Sequence, residues 1–249
     1  MEKFRVVLIT QARTGSSRLP GKVLLDLGGE PLLLVHLKRI TQTKSIDKII
    51  VATTDSDADK AIIQLCSDNQ YNYFAGSEND VLDRFYQSVK AEQADWIVRV
   101  TSDCPLVDPR LIDAVVDCAI VNDADYCSNG LIENFPDGQD IEVFKFSALE
   151  DAWNNAQRRS EREHVTPYMR TATLQNFIHV NFPCRADYSQ VRMTVDEAVD
   201  LAVVNDMVQA LGKKATWLEY ANYLLKSDVS KLNSGIIRNE GYIKSLKND

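Results

Sequence analysis

Apolar and polar positions follow two different rhythms along this chain. In the first half, short continuous apolar runs are separated by longer stretches with helical spacing. Phe4 to Thr10 is nearly all apolar and ends in a polar loop, the pattern of a strand buried on both faces of a parallel sheet. Lys48 to Thr53 and Trp96 to Thr101 repeat it, and Tyr71 to Phe74 predicts a shorter strand. Helices are predicted over Pro31 to Ile40, Ser56 to Asp68, Asp80 to about Gln93 and Pro109 to Val121. Pro31 opens its helix where a missing N–H does no harm. This alternation predicts an α/β fold, with a mostly parallel central sheet covered by helices on both faces. Ligands of such sheets bind beyond the carboxyl ends of the strands, which places functional residues just after Ile9, Thr53 and Val100.

The rhythm changes after about residue 125. Ser128 to Gly138 reads as loop, with Asn129-Gly130 and Pro136-Asp137-Gly138 as turn signals. Ile141 to Phe146, Asn176 to Phe182 and Gln190 to Thr194 are strand candidates. Ala148 to Gln157, Glu197 to Leu211 and Trp217 to Leu225 have helical spacing, and the polar last twenty or so residues suggest a peripheral helix or a mobile tail. Without an internal repeat or a low-complexity linker, one domain with a middle insertion from about 128 to 190 is simpler than two domains.

Composition narrows the function classes. The 249 residues are 45% hydrophobic and 26% charged, with a formal net charge of −8. That sign argues against a nucleic-acid binder, while leaving room for a local basic pocket. No apolar stretch approaches the roughly 18 residues of a membrane span, and the charged first residues lack a signal-peptide pattern. Five scattered cysteines without a CxxC pair suggest reduced thiols in a cytoplasmic protein.

The loop after the first strand is the densest chemistry in the chain. Gln11-Ala12-Arg13-Thr14-Gly15-Ser16-Ser17-Arg18-Leu19-Pro20-Gly21-Lys22 gathers three cations, two serine hydroxyls and glycine, the inventory that a triphosphate needs. The loop lacks the GxxxxGK[ST] pattern, and no GxGxxG is present for a dinucleotide. A merely solvated basic loop is the alternative reading of these residues alone.

The run R-x-x-S-S-R-L-P-x-K resembles the signature of nucleoside-monophosphate transferases that make activated sugars. It is most similar to the SpsF-like branch of cytidylyltransferases, which is related to CMP-sialic acid and CMP-KDO synthetases. Gly28-Gly29-Glu30-Pro31-Leu32-Leu33, Val51-Ala52-Thr53-Thr54-Asp55 and Gly76-Ser77-Glu78-Asn79-Asp80-Val81-Leu82-Asp83-Arg84 continue the likeness in order. The resemblance implies a Rossmann-like nucleotidyltransferase fold that uses CTP and Mg²⁺, with a small β-containing insertion for acceptor binding and homodimerisation. Catalytic roles fall on Arg18, Lys22 and Asp103. Nucleotide contacts fall on Gln11 to Ser17, Lys22, Thr53, Ser77, Asp80, Arg84, Thr101 and Ser102. Asp103, at the end of Val98 to Asp103, and Asp196, in Val195-Asp196-Glu197-Ala198-Val199-Asp200-Leu201, would hold the metal. Asp196 is also a natural N-cap for the helix that follows.

The acceptor half is read from alternation and charge. Asp140 and Glu142 would share one strand face, where they could accept sugar hydroxyls. Glu161-Arg162-Glu163-His164-Val165-Thr166-Pro167-Tyr168 resembles a segment of the same branch, and Arg162 or His164 could pair with an acceptor carboxylate. A surface helix start with internal ion pairs is the alternative. The DxD patterns at Asp55 to Asp59 and Asp123 to Asp125 read as a helix start and an edge strand. The activity this implies is CMP transfer from CTP to an acidic sugar. The alternatives are a nucleotidyltransferase acting on a sugar 1-phosphate, a sugar-nucleotide glycosyltransferase, or a nucleotide-binding subunit without turnover.

Overall fold

The computed structural model describes residues 4–171 and 177–249. The first half reads β1 (Val6–Gln11), α1 (Leu32–Ile40), β2 (Lys48–Thr54), α2 (Lys60–Asp68), β3 (Asn72–Gly76), α3 (Val81–Val89), β4 (Trp96–Thr101) and α4 (Pro109–Val121). The second half reads β5 (Tyr126–Ser128), β6 (Glu142–Lys145), α5 (Phe146–Asn155), α6 (Arg159–His164), α7 (Pro167–Thr171), β7 (His179–Asn181), α8 (Ala198–Leu211), α9 (Trp217–Lys226) and α10 (Glu240–Ser245).

The described strands form one seven-stranded sheet in the order β3-β2-β1-β4-β6-β5-β7. β1 runs parallel to both β2 and β4, with Gln11 opposite Ala52 on one side and Thr101 on the other. From β1 the chain first winds outward to β2 and β3, and then returns to lay β4 on the opposite edge. The strand order reverses there, and the loops that leave the paired carboxyl ends of β1 and β4 border one crevice. β6 then enters antiparallel to β4, which sets Arg99 opposite Glu142.

The pleat explains the layers. Leu8, Val98 and Val100 point to the face covered by Leu33, Leu37, Ile62 and Val115 of α1, α2 and α4. Val7, Ile9 and Ile97 point to the other face, against Leu82, Phe85 and Leu149 of α3 and α5. A further cluster joins α8 and α9 to the start of α1 through Leu32, Val35, Val203, Met207 and Tyr220. The parallel strands therefore had to read as unbroken apolar runs. Among the described residues, no helix is long and apolar enough to cross a membrane.

Several expectations are corrected. Gln190 to Thr194 is not a strand: only an isolated bridge joins Arg192 to Asp137. That segment is held by the close approach of Gly138, where an added Cβ would meet the Thr194 nitrogen at 2.7 Å. β5 is not an edge strand, because β7 pairs along its outer side. Residue 176 of the predicted strand from Asn176 to Phe182 lies outside the described residues. Of the two expectations for the tail, the peripheral helix is the one formed: α10 packs against α6.

His36 on α1 is wholly buried, between the Thr10 hydroxyl and the Cys104 carbonyl at 3.0 Å each. Nδ1–H donates to the carbonyl, so neutral Nε2 accepts the hydroxyl proton. Burial pushes the His36 pKa down to about 4. The unfolded chain, titrating near 6.5, takes up a proton that the folded chain refuses. Stability therefore falls as pH drops from about 6.5 toward 4, by up to ~1.4 kcal/mol per pH unit from this residue. Urea unfolding of His36→Gln should show a shallower loss across that window than the wild type, and an unchanged slope contradicts this account.

Candidate active site

The loop leaving β1 is pinned at one point. The N–H and hydroxyl of Thr14 both donate to Asp59 Oδ1 at 2.7 Å, while the Thr54 hydroxyl donates to Asp59 Oδ2 at 2.5 Å. The Thr14 carbonyl then accepts from the N–H groups of Ser16 and Gly21, closing the loop on itself. Gly21 has φ 67, a left-handed conformation that a side chain would strain. Lys22 begins the turn that follows and points back across the mouth of the sheet.

Its ammonium is the centre of the site. Lys22 Nζ lies 3.0 Å from Asp103 Oδ2 and 2.9 Å from Asp196 Oδ1, although these carboxylates are far apart in sequence. Asp103 stands just past the end of β4, at the crevice. Arg18 adds an Nη2 contact of 3.1 Å to Asp196 Oδ1. On the other side Arg192 holds Asp196 Oδ2 at 2.9 Å, Asp137 at 2.5 Å and Asp200 at 2.8 Å. Burial works against the charge on Lys22, but the two carboxylates outweigh it and raise its pKa. Burial also works against the charge on Asp103, but the Lys22 charge and the hydrogen bonds from Thr101, Lys22 and Cys104 together outweigh it and hold that carboxyl to about 2.

Asp196 does not cap α8. The cap residue is Glu197, and Asp200 accepts the N–H groups of both Asp196 and Glu197 at 2.9 and 3.0 Å. With the cap supplied by Asp200, the Asp196 carboxylate is left to the cleft.

This cluster floors a cleft of about 730 Å³ that opens over the loop. Gln11, Ala12, Arg13, Ser16, Ser17, Arg18, Lys22, Arg84, Thr101, Ser102, Asp103, His164 and Asp196 all line it. An adjoining pocket of about 270 Å³ shares Gln11, Arg18, Asp103, His164 and Asp196 and adds Asp140.

Other nominated residues serve elsewhere. Thr14 and Gly15 shape the loop without lining the cleft. Thr53 is wholly buried in β2, with its hydroxyl unpartnered. Ser77 accepts the Asp80 N–H at 3.1 Å, and Asp80 caps α3 through the Asp83 N–H. Arg162 grips Asp80 through Nε and Nη2, the latter at 2.6 Å, and so braces α6 against α3 instead of reaching a substrate. Glu142 is buried on β6, where Arg99, the Tyr126 hydroxyl at 2.5 Å and the Thr166 hydroxyl at 2.7 Å occupy its oxygens. It anchors these groups and offers nothing to a sugar hydroxyl.

Sequence reading missed Arg99, Arg170, Arg192 and Asp137, all lining the smaller pocket. A charge inside a buried strand was the available signal for Arg99. Asn239 to Tyr242 also line that pocket, and nothing in their composition marks them.

Asp103 and Asp196 form an oxygen donor set open to the cleft, which suits a hard divalent cation. Mg²⁺ is commonly held by one or two carboxylates together with substrate phosphates. Among the described residues, no group of three or more His, Cys, Asp or Glu side chains could hold a metal. The two carboxylates therefore fit an ion shared with phosphates.

Residues 7–226 match the family model described as cytidylyltransferase. The chain belongs to the cytidylyltransferase family. It is an enzyme of the CTP-dependent nucleotidyltransferase type. The chain is 34% identical to the spore coat polysaccharide biosynthesis protein SpsF of Bacillus subtilis, over 84% of this chain and 88% of that one. Its likeness to the 3-deoxy-manno-octulosonate cytidylyltransferase of Trichlorobacter lovleyi is 31% identity over 46% of this chain and 44% of the other. A solved cytidylyltransferase from Leptospira borgpetersenii superposes with a TM-score of 0.88 at 31% identity, covering 94% of this chain and 99% of that one.

The Asp59 tether makes a prediction for this cytidylyltransferase. Asp59→Ala frees the loop at Thr14, and hydrogen bonds to a charged group contribute about 1.5–3 kcal/mol each. CTP affinity by calorimetry should fall at least about tenfold, with the far-ultraviolet circular dichroism retained. Unchanged affinity would show that the loop orders itself without Asp59.

Proposed function

We propose that this enzyme transfers CMP from CTP to the anomeric hydroxyl of an acidic sugar, a 3-deoxy-2-keto acid of the nonulosonic type, and releases pyrophosphate. The observation that carries this reading is the Lys22–Asp103–Asp196 cluster, standing where a large polar cleft meets a smaller arginine-lined pocket. Arg13, Ser16, Ser17, Arg18 and Lys22 hold the triphosphate in the larger cleft. Asp103 and Asp196 hold Mg²⁺, which supplies charge neutralisation and alignment of phosphate oxygens when bound. The sugar hydroxyl attacks the α-phosphorus in line. A new P–O bond forms as the bond to the α,β-bridging oxygen breaks, pyrophosphate leaves with that electron pair, and the hydroxyl proton passes to solvent. Lys22 and Arg18 stabilise the charge that develops.

Sequence likeness to SpsF and to a 3-deoxy-manno-octulosonate cytidylyltransferase supports a sugar acceptor, with the product going to a surface polysaccharide. A second reading, a sugar 1-phosphate acceptor, is favoured by the same arginines, because a guanidinium fork fits phosphate as well as carboxylate.

The test is pyrophosphate release from each of four nucleoside triphosphates with Mg²⁺ and a panel of keto sugar acids and sugar phosphates. Release should require CTP and a keto acid. Asp103→Asn should lower that turnover by about 10²-fold or more while its thermal unfolding remains cooperative. Turnover with another nucleotide in preference to CTP, or near-normal turnover in folded Asp103→Asn, would overturn the assignment.

A further inference from the structure

The smaller pocket is built around an unusual turn. α6 ends at His164, and Val165 follows with φ 70 and ψ −56 while the Thr166 N–H donates to the His164 carbonyl at 2.8 Å. This is a γ-turn of the rare strained kind, centred on a β-branched residue that ordinarily avoids positive φ. Such conformations persist only where their surroundings enforce them. The result is abrupt: α7 starts at Pro167, and His164, Thr166 and Arg170 all line the one pocket.

The arginines of this pocket differ in one respect. Arg18 is paired with Asp196 and Glu240, Arg99 with Glu142, and Arg192 with three aspartates. Arg170 is exposed, and among the described residues no hydrogen bond or ion pair ties its guanidinium, although the charges of Glu142 and Glu133 act on it through space. The Tyr242 ring lies against it, its centroid 5.5 Å from the guanidinium carbon. A cation over a ring face is steadied in place while its N–H groups stay free for a ligand. The edge of His164 packs on the same ring at 5.2 Å, and its buried Nε2 has no partner.

Tyr242 arrives from the far end of the chain. α10 is fastened by the Arg18–Glu240 pair, by Arg238 to Asp140 at 2.5 Å, and by Asp249 to the Ser160 hydroxyl at 2.6 Å. The C-terminal segment thus closes one wall of the pocket and sets the position of Arg170.

We propose that Arg170, steadied by Tyr242, binds the anionic group of the acceptor, a carboxylate or a phosphate, and so selects acidic sugars. This rests on the sugar-transfer reading above and deepens it. The planar fork of Arg170 matches either anion bidentately. Tyr242 is a positioning residue and acts through Arg170.

The test measures calorimetric binding to the full-length chain without nucleotide, using 3-deoxy-manno-octulosonate as the carboxylate probe and glucose 1-phosphate as the phosphate probe. CTP binding is measured separately. At least one probe should bind the wild type. Arg170→Gln should weaken that probe at least tenfold and leave CTP affinity within twofold. Tyr242→Phe, which keeps the ring face, should bind like the wild type, and Tyr242→Leu should lose several-fold. Equal probe affinity in the wild type and Arg170→Gln overturns the proposal, as does a wild type that binds CTP but neither probe. A wild type that binds a probe through Arg170 but does not bind CTP supports the anion site and sinks the transfer reading instead.

Discussion

One ammonium shared between two carboxylates organises this molecule. Lys22, Asp103 and Asp196 come from the first loop, the end of β4 and the approach to α8, and they meet within hydrogen-bond distance. Such a cluster is costly to assemble, because the Lys22 ammonium leaves water and both carboxylates give up part of theirs, and loss of one partner leaves a charge uncompensated. The surroundings are therefore arranged to hold it. Arg192 fixes one oxygen of Asp196, Asp200 takes over the helix cap, and the Gly138 contact presses the 191–195 segment into place. Asp103 is tied in turn, since its carbonyl accepts the Val195 N–H at 2.8 Å.

Topology supplies the place, and the loops supply the chemistry. The reversal of strand order between β1 and β4 opens the crevice, so the residues just beyond Gln11 and Thr101 are neighbours without any special design. The second half of the chain then does two separate jobs. β6, β5 and β7 extend the sheet, whereas α6, α7 and α10 wall the smaller pocket. The two cavities share Arg18, Asp103 and Asp196, so in the proposed reading the attacking and leaving groups stand on either side of one cluster.

Much of this was legible in sequence, for a physical reason. A parallel strand buried on both faces must be apolar throughout, so β1, β2 and β4 announced themselves, and the polar residues after them had to be at the crevice. Local rules failed where a side chain could serve two ends. Arg162 and Glu142 have the chemistry of acceptor contacts, but each is consumed by partners distant in sequence, Asp80 in one case and Arg99 and Tyr126 in the other. Asp196 looked like a cap because its spacing fits one, yet the fourth residue on does the capping. At 190–194 the expected strand is absent because its backbone packs against the Gly138 turn and finds only one bridge, at Asp137. The polar tail suggested a peripheral helix but not its role: Tyr242 matters only through what α10 is packed against.

In the proposed reading Asp103 and Asp196 form a single cation position, and Lys22 Nζ stands against it at 3.0 and 2.9 Å. Binding of Mn²⁺ to the wild type and to Lys22→Met, followed by electron paramagnetic resonance without nucleotide, tests it most directly. The account predicts that Lys22→Met binds Mn²⁺ at least tenfold more tightly than the wild type, because two carboxylates have lost their counter-ion, and that adding Asp196→Asn removes the gain. Equal Mn²⁺ affinity in the folded wild type and Lys22→Met would contradict it.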